Sequence, residues 1–167
     1  SSGFISATPY GEIFEFINNT LIFLVTNHIF DYKGILLDNF LSATLINNTF
    51  YNMKCNSRSL SFSLMYGGIC LLAQTTYNFG KGQNKYMVFM KNNTFFNSSC
   101  IYGGSLAIIG IKDITIIDCN FLTSRAQKRG GSILLVGSEN ATLKNIYVHD
   151  SEGYDGRNTY FQNIFEM

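Results

Sequence analysis

Apolar residues alternate along short stretches of this chain, and each alternation slips by one residue at an Asn or Asp. Val88 and Met90 share one parity, and Asn93 and Phe95 resume it after a break at Asn92. Ile114 and Ile116 are followed by Cys119 and Phe121, with the break at Asp118. Period-2 alternation is the mark of a strand with one buried face. Asn and Asp tolerate left-handed backbone angles, so the break reads as a short corner between two strands. A Gly-Gly pair or its equivalent follows most copies, at Lys33-Gly34, Gly67-Gly68, Gly103-Gly104 and Gly130-Gly131, and reads as a second corner. The apolar runs after it, 106–111 and 133–136, predict a third strand.

The strand–corner–strand phrase recurs five times, beginning at Phe14, Ala43, Val88, Ile114 and Ala141, with offsets of 29, 45, 26 and 27 residues. Repeats of this length mean stacked units, each of which buries its apolar face on its neighbours. Three short strands and three turns per repeat predict one rung of a parallel β-helix. The fold expected is therefore all-β, a solenoid of about five rungs in one domain over 1–167. The 45-residue interval predicts one rung plus an excursion, because residues 75–85 are polar and glycine-containing. Residues 57–64 are expected to add to it. Two tight rungs are disfavoured, since Tyr77-Asn78-Phe79 has polar flanks.

Composition narrows the setting. The 167 residues carry a net charge of +1 and only 14% charged residues, so no electrostatic footprint for nucleic acid is present. One proline, fifteen glycines and 15% aromatics suit many strands joined by tight turns. No apolar run reaches the length that crosses a membrane as a helix. The chain opens Ser1-Ser2-Gly3 without a recognisable signal peptide, and reads as a segment of something longer.

Asn-x-Ser/Thr sequons stand at Asn18, Asn47, Asn92, Asn97 and Asn140, more than composition alone would supply, and suggest a secreted glycoprotein. In Asn-Asn-Thr the two asparagines are expected to divide roles. Asn19, Asn48 and Asn93 share the inward parity of Phe and should form a buried ladder. Asn18, Asn47 and Asn92 should turn outward as glycan acceptors. Asn97 and Asn140 lie near strand ends as independent candidates.

The four cysteines lack CxxC or zinc-ligand spacing. Cys55 and Cys100 each lie five residues after their phrase's phenylalanine, Phe50 or Phe95. That places them at equivalent positions on successive rungs, within the range a disulfide accepts. Cys70 and Cys119 are expected as buried thiols.

Tyr102-Gly-Gly-Ser-Leu-Ala107, following Asn93-Thr-Phe-Phe-Asn-Ser-Ser99, resembles the repeats of the chlamydial polymorphic outer-membrane proteins. It also resembles the pectin-lyase-like β-helices of secreted and surface proteins. The glycine motif matches at three places. The companion Phe-x-x-Asn motif departs, with Met53, Ser98 and Ser124 where its Asn belongs and Asn52 and Asn97 one residue early. The resemblance spans roughly residues 14–156. It implies a right-handed parallel β-helix and an extracellular or cell-surface location, and no particular activity.

No catalytic set, cofactor or metal site is expected. Of Asp31, Asp38, Asp113, Asp118, Asp150 and Asp155, Asp118 falls in the corner column and Asp113 opens a strand. Asp150, Glu152 and Asp155, beside His149, read as a solvated loop in preference to a cation site. His149 and Asp150 are adjacent on a strand and point to opposite faces. Gly80–Lys85 lacks the ending of a phosphate loop. Arg125–Arg129 reads as a solvated turn. Tyr51, Phe96 and Leu122 fall in one outward column, an apolar strip expected to meet a partner, a glycan or the 75–85 loop. The function expected is a non-enzymatic structural or adhesive module of a surface protein or fibre, with covalent N-glycans. It is expected to self-associate or to pack on other parts of a longer chain. The alternatives are a fragment of a polysaccharide lyase or glycoside hydrolase, or a carbohydrate-binding module.

Overall fold

The computed structural model describes residues 4–7, 13–23, 34–38, 40–55, 67–72 and 86–162, and among them every regular element is a strand. The chain runs β1 (Phe4–Ala7), β2 (Ile13–Ile17), β3 (Thr20–Ile22), β4 (Gly34–Asp38), β5 (Ser42–Ile46) and β6 (Thr49–Tyr51). It continues with β7 (Ile69–Leu72), β8 (Met87–Lys91), β9 (Thr94–Tyr102), β10 (Leu106–Ile109) and β11 (Asp113–Ile117). It closes with β12 (Asn120–Arg129), β13 (Ile133–Val136), β14 (Asn140–Lys144), β15 (Tyr147–His149) and β16 (Thr159–Gln162).

Every third strand pairs, in parallel, with the next of its kind. The first sheet runs β1-β4-β7-β10-β13-β16, the second β2-β5-β8-β11-β14, and the third β3-β6-β9-β12-β15. This is the expected parallel β-helix, with the coil carried one strand further at each end by β1 and β16. Across the 45-residue interval β5 pairs directly with β8, setting Ala43 beside Val88 and Leu45 beside Met90. The interval is therefore one rung and not two. The expected loop at 75–85, its extension at 57–64 and the Gly80–Lys85 segment lie outside the described residues.

The inward parity of each strand builds the core. Leu21, Phe50, Phe95, Phe121 and Val148 form one column. Phe50, Phe95 and Phe121 are fully buried, with ring centroids 5.1 and 4.7 Å apart. Ile35, Ile69, Leu106 and Ile133 make a second column, and Leu37, Leu71, Ile108 and Leu135 a third. Each such side chain contributes roughly 1.5–3 kcal/mol on burial. Their equivalents in the outermost rungs, among them Phe16, Leu21, Leu143 and Val148, are only half-buried.

The corners repeat as strictly as the core. Asn18, Asn47, Asn92, Asp118 and Asn145 all hold positive φ, between 53° and 58°. A second column, Asn52, Asn97, Thr123 and Asp150, does the same at 60°, 54°, 56° and 52°. It turns the chain inside the long strands β9 and β12. At the glycine corner Gly103 and Gly130 need φ of 60° and 64°. The glycine after each serves closeness instead: a β-carbon on Gly131 would run into the carbonyl oxygen of Arg157 on the next rung.

Candidate functional site

The strip of Tyr51, Phe96 and Leu122 assembles as the register predicts. Tyr51 pairs beside Phe96, and Phe96 beside Leu122. The rings of Tyr51 and Phe96 are 5.8 Å apart and tilted. Ile22 and His149 extend the column at its two ends. Phe96 is 42% exposed and Ile22 64%. Residues 20–22, 49–51, 94–96, 120–122 and 147–149 contain no Asp, Glu, Lys or Arg. Charge begins on either side of this band. Lys54, Arg125 and Glu152 line up beyond the second corner, and Lys91 and Lys144 stand before the first.

Two of the three inner asparagines are buried as expected, while Asn19, on the first of these rungs, is only half-buried. Asn48 and Asn93 are buried. The Asn19 backbone N–H donates to Asn48 Oδ1 at 2.9 Å, and that of Asn48 to Asn93 Oδ1 at 3.0 Å. The Asn48 amide also donates to Phe16 O at 2.7 Å and that of Asn93 to Leu45 O at 2.7 Å. Buried main-chain and side-chain groups are thus satisfied across rungs. At Asn120's rung the column passes to Cys119, a buried thiol 3.9 Å from Asn93 Nδ2. Burial pushes this thiol up in pKa, outweighing the Asn93 hydrogen bonds that lower it.

All five sequon asparagines are exposed. Reading the sequence alone missed that the outward ones also bond to one another. Asn92 Nδ2 donates to Asn47 Oδ1, and Asn47 Nδ2 to Asn18 Oδ1, both at 2.9 Å. Asn145 donates to Asp118 Oδ1 at 2.8 Å. Asn97 Nδ2 donates to Asn52 Oδ1 at 2.7 Å, and Asn140 Nδ2 to Asp113 Oδ1 at 2.6 Å. The signal available in the sequence was the Asn-or-Asp identity repeated at each corner.

Cys55 and Cys100 form the expected disulfide, with Cα atoms 4.6 Å apart. The side chain of Cys70 lies outside the described residues.

The basic segment 125–129 departs from the expected solvated turn. It lies within β12, where parallel pairing with the next rung places carboxylates beside it. Arg125 reaches Glu152 at 3.6 Å and Arg129 reaches Asp155 at 3.4 Å. Arg129 also stacks over the Tyr160 ring, 4.9 Å from its centroid. Glu152 and Asp155 are therefore engaged by arginines of the previous rung, while Asp150 serves as a corner residue. Among the described residues no three His, Cys, Asp or Glu side chains converge to hold a metal ion.

Serine pairs, which the sequence reading did not identify, tie the third sheet to the glycine corner. Ser105 and Ser124 hydroxyls are 2.6 Å apart, and those of Ser132 and Ser151 2.8 Å. Ser98, the equivalent of Ser124 one rung earlier, is buried with no partner for its hydroxyl among the described residues.

No family model, curated protein or solved structure matches this chain significantly. Among the described residues no helix is long and apolar enough to cross a membrane.

Proposed function

We propose that the chain is a non-catalytic structural or adhesive module of an extracellular or cell-surface protein, carrying N-linked glycans on its exposed corners. The observation that carries this reading is that polar side chains of four kinds hold one described rung to the next. Asparagines bond along two corner columns, serines pair in the interior, arginines meet the carboxylates of the next rung, and a disulfide joins Cys55 to Cys100. A β-helix built this way suits persistence and contact. A disulfide of this kind persists in an oxidising compartment, which is also where sequons are used. The likeness of the Gly-Gly-apolar corners to chlamydial polymorphic outer-membrane proteins and pectin-lyase-like surface β-helices points the same way. The uncharged strip of Tyr51, Phe96 and Leu122 supplies a contact face.

The test is secretion of the chain from eukaryotic cells, followed by intact mass before and after enzymatic glycan removal and a count of free thiols. The reading expects carbohydrate on at least one sequon and a bonded Cys55–Cys100 pair. A protein secreted without carbohydrate, or one that cleaves acidic polysaccharides, would overturn it.

A further inference from the structure

We infer that the occupant of the aromatic strip is the chain's own carbohydrate, attached at Asn97 and folded back over Phe96 and Tyr51. This rests on the glycoprotein reading above and names which sequon matters and why. The strip and its flanking threonines carry no formal charge, so a neutral, amphipathic ligand suits it. An N-acetylhexosamine has an apolar ring face and an acetyl methyl to set against an aromatic ring, with hydroxyls left for water. Asn97 directly follows Phe96, is exposed, and holds φ at 54°, which turns its side chain out of the coil at the edge of the strip.

The other sequons fit less well. Asn18, Asn47 and Asn92 stack one above another, and rungs about 4.8 Å apart leave no room for sugars on neighbouring members. Asn140 lies on the second sheet, held by Asp113. Asn97 has no second acceptor in its column, because Asn52 is followed by Met53 and Lys54 and the next member is Thr123. One Asn97 amide hydrogen is engaged by Asn52 Oδ1 at 2.7 Å, which orients the amide and leaves the other hydrogen to be replaced. In the transfer, Asn97 Nδ2 bonds to the anomeric carbon of a lipid-linked sugar pyrophosphate. The carbon–oxygen bond to the pyrophosphate breaks, and the displaced amide proton leaves to solvent.

The experiment is a four-protein cycle secreted from eukaryotic cells: the unaltered chain, Ser99→Ala, Phe96→Ser and the double variant. Ser99→Ala removes the sequon and keeps Asn97 and its bond to Asn52. Site occupancy is read by peptide mapping after enzymatic release in heavy-oxygen water, and stability by Tm. Asn97 should be occupied, and Ser99→Ala should lower Tm by roughly 2–4 °C. In the Phe96→Ser background the same change should leave Tm unmoved. Carbohydrate on other sequons with Asn97 vacant overturns this inference and leaves the glycoprotein reading standing. An equal Tm loss in both backgrounds, or dimerisation of the fully glycosylated chain that Phe96→Ser abolishes, also overturns it. Absence of carbohydrate everywhere overturns both.

Discussion

Gly68 lies against Met53 so closely that a β-carbon on the glycine would meet Met53 Cβ at 2.6 Å and Sδ at 2.9 Å. One and two rungs further on, the position of Gly68 holds Ser105 and Ser132, and that of Met53 holds Ser98 and Ser124. In those rungs each corner serine bonds a serine of the following rung. Met53 fills the volume that a hydroxymethyl group at position 68 would use, and the Ser98 hydroxyl accordingly has no partner among the described residues. Gly68→Ser alone should therefore destabilise the coil by about 1–3 kcal/mol through overpacking. With Met53→Ser beside it, the new hydroxyl gains room to bond Ser98. A denaturant double-mutant cycle should show a favourable coupling of about 1–3 kcal/mol. Additive effects would mean that the two sites do not share this space.

The buried asparagine ladder stops at Cys119, a poorer acceptor than an amide. Cys119→Asn is close in volume. It would accept from the Asn93 backbone N–H as Asn93 accepts from Asn48. Stability to urea should be unchanged or raised by up to about 1 kcal/mol. A loss larger than that would show that the sulfur is preferred for packing. In the unaltered protein Cys119 should resist alkylation at neutral pH until the chain unfolds, since burial both shields the thiol and raises its pKa.

One link is missing along the outer column, between Asp118 and Asn92. Asn92 and Asn47 each donate to the rung before, whereas Asp118 can only accept and takes its bond from Asn145. Asp118→Asn would supply a donor for Asn92 Oδ1 and keep an acceptor for Asn145. Tm should rise, by no more than a few degrees for one exposed hydrogen bond. A fall would mean that the carboxylate is needed where it is.

The Cys55–Cys100 bond closes a 45-residue separation along the chain. Cys55→Ser with Cys100→Ser should cost about 2–4 kcal/mol by releasing that segment in the unfolded chain. The check is equilibrium unfolding of both proteins without reductant. A cost near zero would mean that the unfolded segment is already constrained.

Much of this coil is local and so was legible without coordinates. Period-2 alternation names the strand faces, Asn, Asp and Gly name corners because left-handed backbone is a property of one residue, and the repeat length names the stacking. The Phe50–Phe95–Phe121 column and the Cys55–Cys100 bond both follow from aligning rungs in sequence. Four things needed the tertiary structure. The corner at Asn97 and Thr123 interrupts long strands whose sequence reads as continuous, and Thr is a poor advertisement for positive φ. The outer asparagine bonds depend on side-chain direction at the corner. The arginine–carboxylate pairs and the serine pairs join residues 19 to 27 positions apart, which meet only once each rung is laid on the next. A chain states its own turns residue by residue, but which side chains share a gap between rungs is set by how the rungs sit together.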